Sequence, residues 1–158
     1  MSYRKVFTRQ LRSSYNVLLK QLGGLTNEDT LLQPPFRGNS LNWVLGHIIT
    51  HRNLMLNAMG KPSLWTEPET AMYFTGSEPI TGPDSPHLSL EHLLADLHTS
   101  QEQILQTFES MSDEELAAPY NDTLSIEARV TSLSWHEAYH TGQTELLRQL
   151  AGTDDGVI

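Results

Sequence analysis

The chain has 158 residues, 38% of them apolar, a formal net charge of −9 and no cysteine. That is enough chain for one cored, soluble domain, and the missing cysteines exclude disulfides, thiolate metal sites and a cysteine nucleophile. The acidic balance argues against nucleic acid, whose phosphates would be repelled, and no apolar run approaches a membrane span.

The first amphipathic helix is expected from about Ser2 to Leu22. Tyr3, Phe7, Leu11, Tyr15, Leu18 and Leu22 recur at three- and four-residue spacing, and Gly23-Gly24 is its stop. The N-terminal "MSYRKVFTRQLRSSYNVLL" lacks the apolar core of a signal peptide, so a cytoplasmic location is expected. A short turn is expected at Asn27 to Leu32. The second long helix runs from an N-cap at Ser40 to Met59, with Gly60 and Pro62 beyond it. A Pro- and Gly-rich crossover of about thirty residues follows, a length usually reserved for a lid, a binding surface or a subunit contact. In it, Trp65, Tyr73 and Phe74 are expected at a pocket mouth or a dimer contact. The third long helix starts at Ser89 and buries Leu90, Leu93, Leu94, Leu97, Ile104, Leu105, Phe108 and Met111. Asp113-Glu114-Glu115 starts a short turn, and "TLSIEARV" reads as briefly extended. The fourth long helix runs from about Thr131 to Ala151. Together these define an all-α four-helix bundle in a single domain over 1–152, with a tail at 153–158.

Helical projection at about 100° per residue gives each helix an inner face. On the second helix Leu41, Trp43, Val44, Leu45, Ile48, Leu54, Met55 and Met59 point inward, and Asn42, Thr50, Asn53 and Asn57 outward. On the fourth, Leu133, Trp135, Tyr139, Leu146, Leu147 and Leu150 point inward. Ser134, Glu137, Thr141, Glu145 and Arg148 point outward. His47 and His51 fall on the first inner arc, and His136 and His140 on the second. Two i,i+4 histidine pairs facing one interior need partners, since an unpaired buried imidazole costs about 1–3 kcal/mol. A metal ion is such a partner. His87, His92 and His98 lie outside these arcs and are expected to play no part. Arg52 is the one charge that defies the projection.

His136-Glu137-Ala138-Tyr139-His140 also fits the H-E-x-x-H pattern of zinc peptidases, with Glu137 at the general-base offset. The extended form of that motif is absent, because position 146 is Leu and Gly142 follows His140 too closely. The chain after His140 is too short for a further ligand-bearing helix. A third ligand must therefore come from upstream, and spacing alone leaves both His47 and His51 open.

"LNWVLGHIITHRN" and "SWHEAYHTGQTELLRQLAG" together resemble the DinB-like superfamily, also called the YfiT-like metal-dependent hydrolases. The similarity runs from about Ser2 to Gly152 and rests on Trp43 before Gly46-His47, then His136, His140, Gly142 and Gln143. It implies an up-down-down-up bundle with the crossover between its second and third helices, commonly paired as a homodimer. It also implies a divalent metal, zinc or nickel, held by His47, His136 and His140. The expected function is that of a metal-dependent hydrolase or an S-transferase using a small external thiol, acting on a small molecule, with neither nucleic acid nor membrane as a partner. Glu137 and His51 are the candidate catalytic helpers, His51 doubling as a candidate fourth ligand. A non-catalytic metal-binding or stress-response module is the alternative, and a zincin-type peptidase a weaker one.

Overall fold

Among the described residues seven helices follow one another and no strand forms. They are α1 (Tyr3–Leu22), α2 (Asn27–Thr30), α3 (Leu41–Ala58), α4 (Glu67–Tyr73), α5 (Leu90–Ser110), α6 (Asp113–Ala117) and α7 (Ile126–Gln149). The computed structural model describes residues 3–153, so Ser2 and positions 154–158 of the expected tail lie outside it. None of the described helices is long and apolar enough to cross a membrane.

Four long helices make the bundle, and side-chain bonds give their directions. Tyr3 Oη donates to the Glu127 carbonyl at one end and Arg148 donates to the Gln21 carbonyl at the other, so α1 and α7 run parallel. Arg4 donates to the Phe108 and Met111 carbonyls, so α5 opposes α1. Asn42 reaches the Leu88 carbonyl and Arg52 the Leu97 carbonyl, so α3 and α5 run together. The order is up-down-down-up, with α3 packed on both α5 and α7. Parallel neighbours cannot be joined by a tight turn, which accounts for the long α3–α5 crossover.

The core divides in two. Leu18, Leu22, Leu45, Ile48, Leu93, Leu97 and Leu147 fill one half, and Phe7, Leu11, Met55, Ile104, Phe108, Val130 and Leu133 the other. A polar layer lies between them. Arg52 of α3 and Glu137 of α7 have fully buried side chains and pair at 2.7 Å. Arg52 also donates to the Leu97 carbonyl, Ser100 Oγ and Gln101 Oε1, and its guanidinium lies 5.8 Å from the Tyr15 ring centre. The charge that defied the helical projection thus has five acceptor atoms and an aromatic face.

Burial on α7 departs from the sequence expectation at its polar and aromatic positions, while Leu133 and Leu147 are buried as expected. Ser134, Glu137, Thr141, Thr144 and Arg148 are buried, whereas Trp135, Tyr139 and Leu146 are 65%, 56% and 61% exposed. The hydrophobic pattern fails because Glu137 pairs with Arg52, Thr141 and Thr144 return their hydroxyls to α7 carbonyls, and Arg148 bonds the Gln21 and Gly23 carbonyls. These side chains enter the interior with their polar groups satisfied. The helix also begins at Ile126, capped by Ser125, so most of "TLSIEARV" is helical rather than extended.

Of the side of α3 expected to face solvent, Asn57 is exposed but Asn42, Thr50 and Asn53 are buried. The crossover covers the two buried asparagines and takes their hydrogen bonds. Asn42 Nδ2 donates to the Leu88 carbonyl, its Oδ1 accepts from Tyr73 Oη, and Asn53 Oδ1 accepts from the Leu64 N–H. The asparagines are anchors for the connection. α4, which hydrophobic periodicity did not reveal, begins with a Thr66–Glu69 capping box and a proline in its first turn. Trp65 and Tyr73 are buried in the core rather than placed at a pocket mouth.

Candidate metal centre

His47 lies on α3, and His136 and His140 lie one turn apart on α7, on the boundary between its buried and exposed faces. The antiparallel packing of α3 and α7 brings the three rings together. His136 Nε2 is 3.0 Å from His47 Nε2 and 3.1 Å from His140 Nε2. Among the described residues these three form a group able to share one ion, with their donor atoms all within 4.8 Å of one another.

Backbone and amide oxygens set two of the tautomers. His47 Nδ1 lies 2.8 Å from the Tyr73 carbonyl, and His140 Nδ1 lies 2.7 Å from Gln143 Oε1. A carbonyl oxygen only accepts, so both Nδ1 atoms carry hydrogen and both Nε2 lone pairs face the centre. His136 Nε2 can satisfy one of them with a proton, but not both. A cation resolves the remaining repulsion. Three nitrogens at a zinc–nitrogen distance of about 2.0–2.1 Å on a tetrahedral ion sit roughly 3.3 Å apart, close to the two separations from His136. The donor set therefore fits a divalent ion, and the Nδ1 partners are the outer support that metal-ligating histidines ordinarily carry.

His51 sits one turn along α3, its ring centre 4.3 Å from that of His47 and 4.1 Å from that of His136. Its Nδ1 donates to the His47 carbonyl at 2.9 Å, leaving Nε2 unprotonated in the neutral ring. Burial pushes its pKa down to about 3. Burial likewise pushes His140 down to about 4 and lowers His47 and His136, against the opposing pull of the Nδ1 bonds on His47 and His140. All four imidazoles are neutral at neutral pH, the state that metal ligation needs.

This has a consequence for the metal-free protein. Unfolded histidines titrate near 6.5. Below that pH the unfolded chain binds more protons than the folded one, so stability falls as pH drops toward 4. The thermal midpoint of metal-free protein is expected to be lower at pH 5.0 than at pH 7.5. A His51→Gln, His140→Gln double variant should flatten that dependence, and an unchanged slope would count against burial of neutral imidazoles.

Glu137, the candidate general base, has other work here. Both its oxygens accept from Arg52, and it does not line the pocket above the histidines. His92 pairs with Asp96 across one turn of α5, His98 with Tyr15 and Glu102, and His87 with the Ser85 carbonyl. None of these three belongs to the cluster.

Two residues of the motif have roles that the sequence did not reveal. Gly46 is necessary because a Cβ there would overlap the Tyr73 ring, which seats directly on α3. That contact brings the Tyr73 carbonyl to His47. Gly46→Ala is expected to cost about 1–3 kcal/mol through overpacking. It should also weaken metal binding by displacing Tyr73, read by calorimetric titration of the folded variant. The second is the Trp43 indole, which stacks on the His47 ring at 4.6 Å and donates to Ser77 Oγ.

The histidines form the floor of a cavity of about 400 Å³. Pro34, Phe36, Trp43, Val44, Tyr139, Leu146 and Leu147 supply most of its apolar wall. The cavity is open on one side, with the three imidazoles on its floor.

Fold and site together describe an up-down-down-up helical bundle with a three-histidine donor set between its second and last long helices. The family model of the DinB superfamily matches residues 10–144, and the chain belongs to that superfamily. Its structure is similar to the crystal structure of a conserved protein from Enterococcus faecalis, with a TM-score of 0.72 and 16% identity, covering 97% of this chain and 99% of that one. At that identity the likeness speaks for the fold. No curated protein matches the chain significantly.

Proposed function

We propose that the protein holds one divalent ion, zinc or nickel, through Nε2 of His47, His136 and His140. In this reading it is a metal-dependent hydrolase or a small-thiol S-transferase acting on a small molecule in the cavity above them. The observation that carries the reading is the convergence of Nε2 lone pairs whose tautomers are held by Tyr73 and Gln143. An ion on three neutral imidazoles keeps an open position, and its charge acidifies a bound water or thiol or polarises a carbonyl.

The chain's own residues do the rest. The Tyr73 carbonyl and Gln143 Oε1 hold two rings in the ligating tautomer, and the apolar cavity wall limits water. His51 keeps a neutral ring packed against His47 and His136 and does not line the cavity, so in this reading it supports those two rings. Without a cysteine, a thiol substrate must come from outside the chain. Metal-loaded protein, screened against ester and amide panels and against small thiols with electrophilic acceptors, should turn over members of one class. Absence of turnover in every panel would leave a non-catalytic metal-binding module. The proximity of His51 favours that module if it closes the coordination, which the spectrum of a cobalt-loaded sample would reveal as loss of an exchangeable position.

We also propose that the protein is a homodimer paired through the outward face of α7, where Trp135 and its stacked neighbour Tyr139 stand exposed. Large clustered apolar side chains of this kind mark interaction surfaces. Light scattering should give twice the chain mass for wild type and the monomer mass for Trp135→Glu. A monomeric wild type contradicts the pairing.

A further inference from the structure

The cavity over the histidines differs in charge from the molecule around it. The chain carries 19 acidic residues against 10 basic ones, yet none of the cavity-lining residues is a carboxylate. One is a full cation, Arg37, on the connection between α2 and α3. Asn39 and Thr75 lie on the same wall. Arg37 has no ion-pair or hydrogen-bonding partner among the described residues for its guanidinium, and the side chains of Asn39 and Thr75 are likewise uncommitted. Among the other arginines, Arg4, Arg12, Arg52 and Arg148 are engaged with carboxylates or carbonyls and Arg129 lies over the Tyr120 ring, while Arg9, which does not line this cavity, also lacks such a partner among the described residues. Arg37 thus keeps a guanidinium free at the edge of a largely apolar cavity in a strongly acidic protein. A planar, permanently charged fork of donors is suited to a carboxylate.

We propose that the cavity selects a small anionic ligand, a carboxylate on an apolar aryl or alkyl body, with the carboxylate on Arg37. Trp43, Val44, Tyr139 and Leu147 then pack the body, and the opposite end of the ligand reaches the histidine cluster. As the substrate class of the site, this rests on the metal-site reading above. The recognition by Arg37 does not need the metal, and the two can be tested apart. Cationic ligands of the same shape are disfavoured, because the wall offers them no anion. The volume of about 400 Å³ holds one such molecule and leaves no room for a folded peptide segment.

Calorimetric titration at pH 7.5 with three probes of the same body, 4-phenylbutyrate, 4-phenylbutanol and 4-phenylbutylamine, tests this in metal-free and zinc-treated protein. The acid should bind about five- to tenfold more tightly than the alcohol, as expected for a charge-assisted pair at a partly open site, and the amine most weakly. That preference should appear without metal. Arg37→Ala should bring the acid down to the level of the alcohol while leaving alcohol binding unchanged, which also shows the cavity to be intact. A carboxylate preference that survives Arg37→Ala, a preference seen only with zinc, or no binding of either acid or alcohol at millimolar concentration would each overturn the proposal. Zinc uptake is measured in the same samples. Failure of uptake contradicts the metal reading while the metal-free titrations still decide the role of Arg37.

Discussion

Glu137→Gln is expected to destabilise the protein by about 3–5 kcal/mol, because it leaves the Arg52 charge buried without its counter-ion. For a chain of this size that lowers the thermal midpoint by roughly 6–20 °C. The two side chains are fully buried, and Glu137 supplies two of the oxygens around Arg52. Ser100, Gln101 and the Leu97 carbonyl remain, but they are dipoles rather than a charge. Replacing both partners with apolar residues, as in Arg52→Met with Glu137→Leu, removes the charge imbalance and should recover much of the loss. The single variant should also loosen the site, since Glu137 adjoins His136 and the pair fixes the register of α7 on α3. A loss below about 1 kcal/mol in Glu137→Gln would mean the pair is solvated, as a surface ion pair is.

The second large effect is metal-linked stability. An ion that binds only the folded state stabilises it by about 4 kcal/mol at a free concentration a thousand times its dissociation constant. Wild-type protein should therefore melt higher as zinc or nickel is added, with a midpoint that keeps rising with concentration. His136→Ala removes the central ligand, whose Nε2 is the neighbour of both other donors, and should abolish the rise. His92→Ala should keep it, because His92 pairs with Asp96 on an exposed face of α5. An equal shift in both variants would assign the stabilisation to scattered surface binding.

The parts of this protein legible in its sequence are those where hydrophobic periodicity and burial agree. α1 and α5 bury the stripes expected of them, from Phe7 to Leu22 and from Leu90 to Phe108. α7 misleads because its interior is polar and its exterior aromatic. Charge and hydroxyl positions there answer to Arg52 and to carbonyls, which no single-helix projection contains. The histidines escaped that error because they sit on the boundary of α7 and fall near the interior under either reading. One signal for the polar layer was present: Arg52 on an apolar arc asked for an acid on a neighbouring helix, and Glu137 was the acid beside the metal motif. α3 misleads for another reason. Asn42 and Asn53 look solvent-facing, but a long connection folds over them and takes their hydrogen bonds. Arg37 and Tyr73 belong to connecting segments, where no periodicity exists to report their direction. Gln143 enters the sequence reading only as part of the motif, and the structure puts its amide oxygen on His140.

The central claim is that His47, His136 and His140 hold one metal ion. The most direct measurement is metal content by mass spectrometry on untagged protein, stripped and then reloaded with zinc or nickel. One ion per chain in wild type, retained by His92→Ala and lost in His47→Ala, His136→Ala and His140→Ala, is the predicted result. No stoichiometric uptake by wild type, or uptake that survives all three substitutions, would contradict it.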